Sequence, residues 1–201
     1  MIEIDVHFFR LLHHALADWI GPMVVLSAIG GGWGSLAVVP LFASARTRRF
    51  ALSLAAVLGV TAVLVFSLKR VVGRVRPCNC LADVKARVFD APSDFSFPSG
   101  HSAGSFAFAV FVAIVLYRTI PEGAPARTRR LRRLAAFSLP LVAALVGLSR
   151  IALGVHFPGD VLAGAVLGTT VAVLGAHRHL AGLRRREALT ARGPVRHDDP
   201  P

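Results

Sequence analysis

Three short stretches of the chain combine cations, imidazoles and a carboxylate at spacings that suit chemistry on a phosphate group. Guanidinium groups bind two phosphate oxygens at once, and a lysine adds a mobile point charge. A neutral imidazole is a nucleophile toward phosphorus, and a carboxylate one helical turn away can accept its other ring N–H. The stretches are Lys69–Pro77 (KRVVGRVRP), Pro98–His101 (PSGH) and Ser149–Asp160 (SRIALGVHFPGD).

The cationic residues of these stretches are predicted to bind the phosphate. Arg76 and Arg150 present planar forks that match phosphate oxygens, and Lys69 contributes a third positive charge. Ser99 and Gly100 stand where a helix is expected to begin, so the Ser99 hydroxyl and the free backbone N–H groups add donors. Three fixed cations supply the charge that a metal ion would bring, and no His, Asp and Glu set has metal-ligand spacing. We therefore expect no metal and no other cofactor.

The remaining three residues divide the reaction between attack and departure. His156 is the predicted nucleophile, and Asp160 accepts the second ring N–H and stabilises the cation that forms. His101 is the predicted general acid for the leaving oxygen and, in a second step, the base that activates water. This division of roles favours transfer of the phosphate through a histidine.

Long apolar runs separate these stretches and indicate a membrane protein. The chain of 201 residues is 54% hydrophobic with a mean hydropathy of +0.61, well above a soluble domain of this length. Five runs approach the roughly 20 residues that a bilayer crossing requires. Before them, residues 4–19 show the amphipathic pattern of a helix that lies in the membrane interface. The five runs are Pro22–Ala45, Ala51–Leu68, Ser102–Tyr117, Leu134–Leu148 and Val161–Ala176.

The sequence therefore predicts an all-α, integral membrane helical bundle of about five transmembrane helices with an N-terminal interfacial amphipathic helix. We assign residues 1–20 to the interfacial helix, 21–177 to the transmembrane domain and 178–201 to a basic, disordered cytoplasmic tail. The first apolar run holds Gly30–Gly32, which leaves two alternatives open. It is either one continuous span, or a helix broken at these glycines with the crossing starting at Trp33.

Alternate spans leave the membrane on alternate sides, so all three stretches are expected at the same face. Arginines concentrate on the other face, in the loops 46–49 and 118–133 and in residues 184–186 after the last span. By the positive-inside rule, that face is cytoplasmic. We therefore place the protein in the cell (inner) membrane, with the N-terminus outside, the C-terminus inside and the site extracytoplasmic.

The net charge of +12 does not indicate a nucleic-acid partner. The positive residues lie between apolar runs and in the tail, without the interleaved aromatic residues that stack on bases. The expected partners are a lipid phosphate substrate and membrane lipids. The sequence makes no prediction of the oligomeric state.

Taken together, the stretches resemble the signature of the phosphatidic acid phosphatase type 2 superfamily, K-x6-RP, PSGH and SR-x5-H-x3-D, with no departure in spacing. The resemblance covers about half of the chain, from Lys69 to Asp160, and is similar to the small bacterial lipid phosphatases. It implies a helical bundle and metal-independent hydrolysis of a terminal phosphate through a phosphohistidine, with the eight residues in the roles given above. The implied substrates are undecaprenyl diphosphate, phosphatidic acid or phosphatidylglycerol phosphate.

Other functions would use the same residues differently. A lipid phosphotransferase would pass the phosphate from His156 to a lipid or sugar hydroxyl instead of water. A non-catalytic phospholipid-binding transporter or scaffold would need only the cations, and the presence of His101, His156 and Asp160 argues against it. A vanadium haloperoxidase is disfavoured by the apolar spans. Arg70 and Arg74, which lie outside the signature, are interpreted as helix-end anchors that also attract anionic substrate.

Overall fold

The computed structural model describes residues 2–31, 36–87 and 92–191, and within these ranges every regular element is a helix. The prediction of an all-α fold is confirmed. The elements are α1 (Ile2–Ala15), α2 (Ile20–Gly30), α3 (Arg48–Val72), α4 (Pro77–Cys80), α5 (Gly100–Arg118), α6 (Ala126–Ala152) and α7 (Pro158–Ala191), with short 3-10 helices at Ala17–Trp19 and Leu36–Phe42.

Four helices, α3, α5, α6 and α7, are long and apolar enough to cross a bilayer. The pair α1 and α2 is bent by 60° and makes a fifth candidate if both belong to one crossing. The predicted bundle of about five transmembrane helices is therefore confirmed. Many large apolar side chains point away from the bundle, as contact with lipid tails requires. They include Val63, Phe66, Phe137, Leu141, Leu162 and Val166.

The first apolar run, Pro22–Ala45, does not form one continuous helix, so of the two alternatives left open by the sequence the structure has the helix that ends at the glycines. α2 ends at Gly30, and the backbone of Gly31 is extended. Residues 32–35 lie outside the described part of the chain, and with them Trp33, the alternative start of the crossing. The chain next forms a 3-10 helix that contains Pro40. Consecutive glycines disfavour an α-helix, which explains why α2 ends there, and proline lacks the N–H that an α-helix through residue 40 would need.

The predicted boundary between the transmembrane domain and the tail, after residue 177, also differs from the structure. α7 continues to Ala191, so residues 178–191 extend the last helix instead of belonging to a disordered tail. This segment is rich in alanine, leucine and arginine, which have high helix propensity. Residues 192–201 lie outside the described part of the chain.

Helix α1 lies across one end of the bundle, against the connection between α6 and α7. Phe9 is fully buried and meets the ring of Phe157 edge-on, with ring centroids 5.5 Å apart. The imidazole of His13 stacks on Phe9, with ring centroids 5.2 Å apart. α1 is therefore attached to the bundle by a buried aromatic cluster, and its position at the membrane interface stays a prediction.

Helices α5 and α7 pack backbone against backbone. A Cβ atom at Gly164 would stand 2.5 Å from the carbonyl oxygen of Ser99, and one at Gly168 would overlap the carbonyl of Ala103. Small residues at such positions let two membrane helices approach closely. At the same end, the Ser99 N–H donates to the Asp160 carbonyl at 3.0 Å. The starts of the two helices are thus joined without intervening side chains.

Candidate active site

The four membrane helices bring the three motifs to one end of the bundle. The last turns of α3 and α6 carry Lys69 and Arg150, and these ends meet the starts of α5 and α7, where Ser99 and Asp160 lie. Gly73 ends α3 in the left-handed conformation (φ 61°), which glycine adopts without steric cost. The chain then turns back over the end of the bundle.

The imidazole of His156 lies in the connection between α6 and α7 and is 2% exposed. Arg76 Nη1 lies 3.0 Å from its Nε2, and the Nδ1 faces Ser96 Oγ at 3.4 Å and Asp160 Oδ2 at 3.5 Å. Because a guanidinium only donates, Nε2 must carry the lone pair and Nδ1 the proton. Burial lowers the pKa of His156 to about 4, with the Arg76 charge adding to this effect and the Asp160 hydrogen bond opposing it. The ring is therefore neutral at pH 7.

The carboxylate of Asp160 is fully buried and accepts hydrogen bonds at both oxygens. Its Oδ2 accepts from the hydroxyl of Ser96 and from the backbone N–H of Phe157 at 2.8 Å. Its Oδ1 accepts from Arg74 Nη1 at 2.8 Å. These donors fix the carboxylate beside His156, where it can accept the Nδ1 proton.

A second carboxylate, from α1, holds the other side of Arg74. Asp5 Oδ2 lies 2.7 Å from Arg74 Nη2, and Asp5 Oδ1 accepts the backbone N–H of Gly159 at 2.8 Å. A Cβ at Gly159 would stand 2.8 Å from the Asp5 carboxylate, so a glycine is required for this approach. The Arg74 guanidinium also lies 4.1 Å above the ring of Phe157. Arg74 thus connects the N-terminal helix to Asp160.

The cations Lys69 and Arg76 share one exposed carboxylate, that of Asp94. Lys69 Nζ lies 2.7 Å from Asp94 Oδ2, and Arg76 Nη2 lies 2.7 Å from Asp94 Oδ1. Burial acts to raise the pKa of Asp94, but the hydrogen bonds from Lys69 and Arg76 outweigh it and hold that pKa below its usual value. The side chain of Asp94 is 58% exposed, whereas that of Arg76 is 4% exposed. The two cations therefore bind an anion at the mouth of the site.

Arg150 is buried without an acidic partner among the described residues. Its Nη1 donates to the hydroxyl of Ser27 on α2, and its Nε–H has no hydrogen-bond partner. An unpaired buried charge is costly and is typical of a site that meets its counter-ion in a ligand. Arg150 is therefore available to an anion that enters from the site.

The PSGH residues lie at the start of α5. The Ser99 hydroxyl accepts the Ser102 N–H at 3.4 Å and caps the helix, which leaves its own proton free to donate. Gly100 is the first residue of α5, so its N–H has no partner within the helix. His101 follows in the first turn of α5, and a Cβ atom at Gly31, just after α2, would stand 3.4 Å from its Nε2. The structure thus brings all eight predicted site residues to one place.

Four residues around the site were not found by sequence reasoning. Ser96, Asp94 and Asp5 lie outside the motif stretches, and no spacing rule connects them with His156. Arg74 lies inside the first stretch, but its interpretation as an anchor is incomplete, since it binds Asp160. The high density of arginines in that stretch was the one available signal.

Comparison with known proteins identifies the family. The profile of the PAP2 superfamily matches residues 50–182, which include every predicted site residue. The chain is 34% identical over 146 residues to decaprenylphosphoryl-5-phosphoribose phosphatase of Mycobacterium tuberculosis, covering 71% of this chain and 69% of that protein. It is 29% identical to undecaprenyl-diphosphatase of Sulfolobus acidocaldarius, covering 90% of this chain and 81% of the relative.

A solved structure shares the fold. The crystal structure of the first transmembrane PAP2 type phosphatidylglycerolphosphate phosphatase from Bacillus subtilis superposes with a TM-score of 0.65 at 24% identity, covering 90% of this chain and 94% of that one. This similarity shows the fold, while the profile match and the named phosphatases establish the family and the reaction class. The chain belongs to the PAP2 superfamily and is an integral membrane enzyme that hydrolyses phosphoester bonds.

Proposed function

We propose that this enzyme removes the terminal phosphate of a lipid phosphate or diphosphate by way of a phosphohistidine at His156. The observation that carries the proposal is the neutral imidazole, whose Nε2 lone pair faces Arg76 while Asp160 holds the Nδ1 side. A nucleophilic nitrogen beside fixed oxyanion-binding cations suits in-line attack on phosphorus. The names of the two relatives, which both contain a prenyl lipid, support a lipid-linked substrate. Undecaprenyl diphosphate, phosphatidic acid and phosphatidylglycerol phosphate are our candidates.

In the proposed binding step, the substrate phosphate replaces a carboxylate. Asp94 occupies Lys69 and Arg76 in the free enzyme, and a phosphate carries more charge and more oxygens than a carboxylate does. The buried Nε–H of Arg150 supplies a further donor. The proposed phosphate ligands are Lys69, Arg76, Ser99, Gly100 and Arg150.

Chemistry then follows in two steps that use the same two histidines. In the first, Nε2 of His156 forms a bond to phosphorus as the bond from phosphorus to the lipid oxygen breaks, and His101 gives its proton to that oxygen. Asp160 stabilises the cationic ring. In the second, His101 takes a proton from water, the hydroxyl bonds to phosphorus, and the N–P bond breaks to release inorganic phosphate. Both histidines return to their starting states.

The arrangement of charges supports an extracytoplasmic site. The arginines of residues 46–49, 118–133 and 184–186 lie at the end of the bundle opposite His156. Positive residues next to membrane spans favour the cytoplasmic side. We therefore place the site outside the cytoplasm, the N-terminal helix on the same face and the end of α7 inside. Labelling of single cysteines at either end in intact cells tests this orientation.

Purified variants test the mechanism. His156→Ala and His101→Ala are each expected to lower phosphate release by at least about 10³-fold, in line with the loss of a nucleophile or general acid. His14→Ala, at an exposed position of α1, is the control and should retain activity. Wild type quenched during turnover of a 32P-labelled lipid should carry acid-labile label that His156→Ala lacks. Near-normal turnover by either active-site variant would refute the assignment.

Two further assays separate the alternatives. Activity should survive EDTA and be inhibited by vanadate, which adopts the trigonal-bipyramidal geometry of the transition state; strict Mg²⁺ dependence would contradict the proposal. Turnover in 18O-labelled water should place one heavy oxygen in the released phosphate. A phosphorylated lipid or sugar in place of free phosphate would identify a phosphotransferase instead.

A further inference from the structure

A groove runs along the lipid-facing side of the bundle between α3 and α7, away from the active site. Its volume is about 750 Å³, within the range of small-molecule and lipid sites. Its walls are mostly apolar, and its polar lining residues concentrate toward one end. The apolar walls include Leu52, Val60, Leu64, Leu167, Val171 and Leu174.

Three arginines lie at the end of the groove opposite the active site. Arg49 belongs to the first turn of α3, and Arg178 and Arg186 belong to the C-terminal half of α7. All three side chains are exposed, and no acidic residue lines the groove in the described part of the chain. The groove therefore joins an apolar channel to an unneutralised cluster of guanidinium groups.

The dimensions match one acyl chain of a lipid. From Arg49 to Leu64 the groove follows α3 for roughly 22 Å at 1.5 Å per residue, compared with about 15 Å for half of a 30 Å hydrocarbon core. A chain that starts at the arginine level thus fits within the groove. About one helical turn from Arg49, Ser53 Oγ and His179 Nδ1 lie 2.9 Å apart and offer polar contacts at the depth of a glycerol ester.

We propose that this groove binds an anionic phospholipid from the leaflet opposite the active site. One acyl chain lies between α3 and α7, and the headgroup phosphate lies among Arg49, Arg178 and Arg186. Guanidinium forks match phosphate oxygens, and basic pockets between membrane helices suit anionic headgroups. A second copy of this chain fits less well, because a symmetric contact across this face would bring two arginine clusters together.

Occupancy of the groove is connected to the active site through its walls. α3 carries Lys69 five residues beyond Leu64, and α7 carries Asp160 in its first turn, seven residues before Leu167. A lipid that fills the space between these helices stabilises the folded state by binding it in preference to the unfolded chain. It also supports the two helices that hold a phosphate ligand and the partner of the nucleophile.

Thermal unfolding of the purified full-length protein in a neutral detergent tests the proposal. Phosphatidylglycerol at about 100 times its Kd should raise the Tm by about 5–10 °C, and phosphatidylcholine should raise it much less. Glycerol 3-phosphate, which carries the phosphate without chains, should give no shift. Equal shifts with both phospholipids would overturn the assignment of an anionic lipid.

Matched variants separate the groove from a general basic surface. Arg49→Gln, Arg178→Gln and Arg186→Gln together should abolish most of the phosphatidylglycerol shift. The same charge is removed on the same side of the membrane by Arg48→Gln, Arg184→Gln and Arg185→Gln, which do not line the groove and should leave the shift intact. Equal losses in both triple variants would overturn the proposal.

A change that alters no charge gives an independent test. A Cβ at Gly182 meets no atom within 4 Å, so Gly182→Leu fills the groove without backbone displacement and should block the lipid shift. Gly59→Leu, on an equally open face of α3 outside the groove, is its control. A Gly182→Leu protein that keeps the full shift would show that the groove is not a lipid site. A Gly182→Leu protein that changes from dimer to monomer by light scattering would show that the groove is a contact between copies. Either result would refute lipid binding.

Discussion

Removal of the Arg74 guanidinium should impair catalysis although Arg74 lies outside the family signature. In Arg74→Gln, the Oδ1 atom of Asp160 loses its donor at 2.8 Å, and no other described residue donates to it. The carboxylate is fully buried, so the lost contact leaves half of it without a partner. It then turns away from Nδ1 of His156 or takes up a proton, and in either state it stabilises the imidazolium less.

The size of the effect follows from the type of contact. A hydrogen bond to a charged group contributes about 1.5–3 kcal/mol, which corresponds to roughly 10- to 150-fold in rate if it is fully expressed in the transition state. The full cost of leaving a buried charge unpaired does not apply, because Oδ2 of Asp160 keeps its two donors and water can reach Oδ1 from the side of Arg74, which is 22% exposed. We therefore expect kcat to fall by about 10- to 100-fold with little change in KM.

Steady-state kinetics on a lipid phosphate in detergent micelles, with Tm measured in parallel, is the assay. Arg74→Lys should restore part of kcat, because a lysine returns one donor to Oδ1. Arg70→Gln is the matched control: Arg70 lies near the same helix end, is exposed and sits over the ring of Phe66 at 4.0 Å. Its kcat should stay within about twofold of wild type. An Arg74→Gln enzyme with wild-type kcat, beside an inactive Asp160→Asn, would refute the positioning role.

Three more predictions use other contacts. Asp94→Asn should lower KM by roughly three- to tenfold, since a neutral amide competes less with phosphate for Lys69 and Arg76. Steady-state kinetics measures this change, and an unchanged or higher KM would contradict competition by Asp94. As the pH falls from 6.5 to 4, His156 becomes protonated in the unfolded chain, whereas burial keeps the ring neutral in the folded protein. Wild type should therefore lose up to about 3 kcal/mol of stability over this pH range, and His156→Gln should not lose it. Unfolding free energies at the two pH values test this, and parallel losses would argue against the low pKa. Gly168→Leu should destabilise the bundle by at least about 1–3 kcal/mol through contact with the carbonyl of Ala103, whereas Gly59→Leu should not; Tm values decide, and equal values would show that the helices can separate.

The convergence of the motifs was predictable because it depends only on the fact that successive spans cross the membrane in opposite directions. Lys69 ends one apolar helix, Ser99 precedes the next, and Arg150 and Asp160 stand on either side of the last connection. Any up-and-down bundle places such positions at one end, whatever the details of packing. The residue types then restrict the chemistry to anion binding and proton transfer.

The contacts around Asp160 were not predictable in the same way. Whether Arg74 faces Asp160 or the headgroups depends on Gly73, which turns the chain back over the bundle, and on Asp5, which α1 brings from the far end of the sequence. That docking in turn depends on how Phe9 fits against Phe157. Such tertiary fits leave no periodic pattern in the sequence.

The break after Gly30 shows that hydropathy alone does not predict where a helix ends. Hydropathy registers only that residues 22–45 are apolar, and it does not distinguish a helix from two short pieces that cross the same distance. The end of α7 shows the reverse: basic residues reduce hydropathy without ending the helix, because helix propensity and hydropathy are separate properties.

The glycine contact between α5 and α7 has a consequence for how the enzyme responds to its surroundings. Membranes differ in thickness, and helices cushioned by long side chains can tilt relative to one another as thickness changes. Here Gly164 and Gly168 bring the two backbones into contact, with no side chain between them that could change conformation. The spacing of His101 and Asp160 should therefore stay constant in short-chain and long-chain bilayers, and turnover of bound substrate should be insensitive to bilayer composition that changes only thickness.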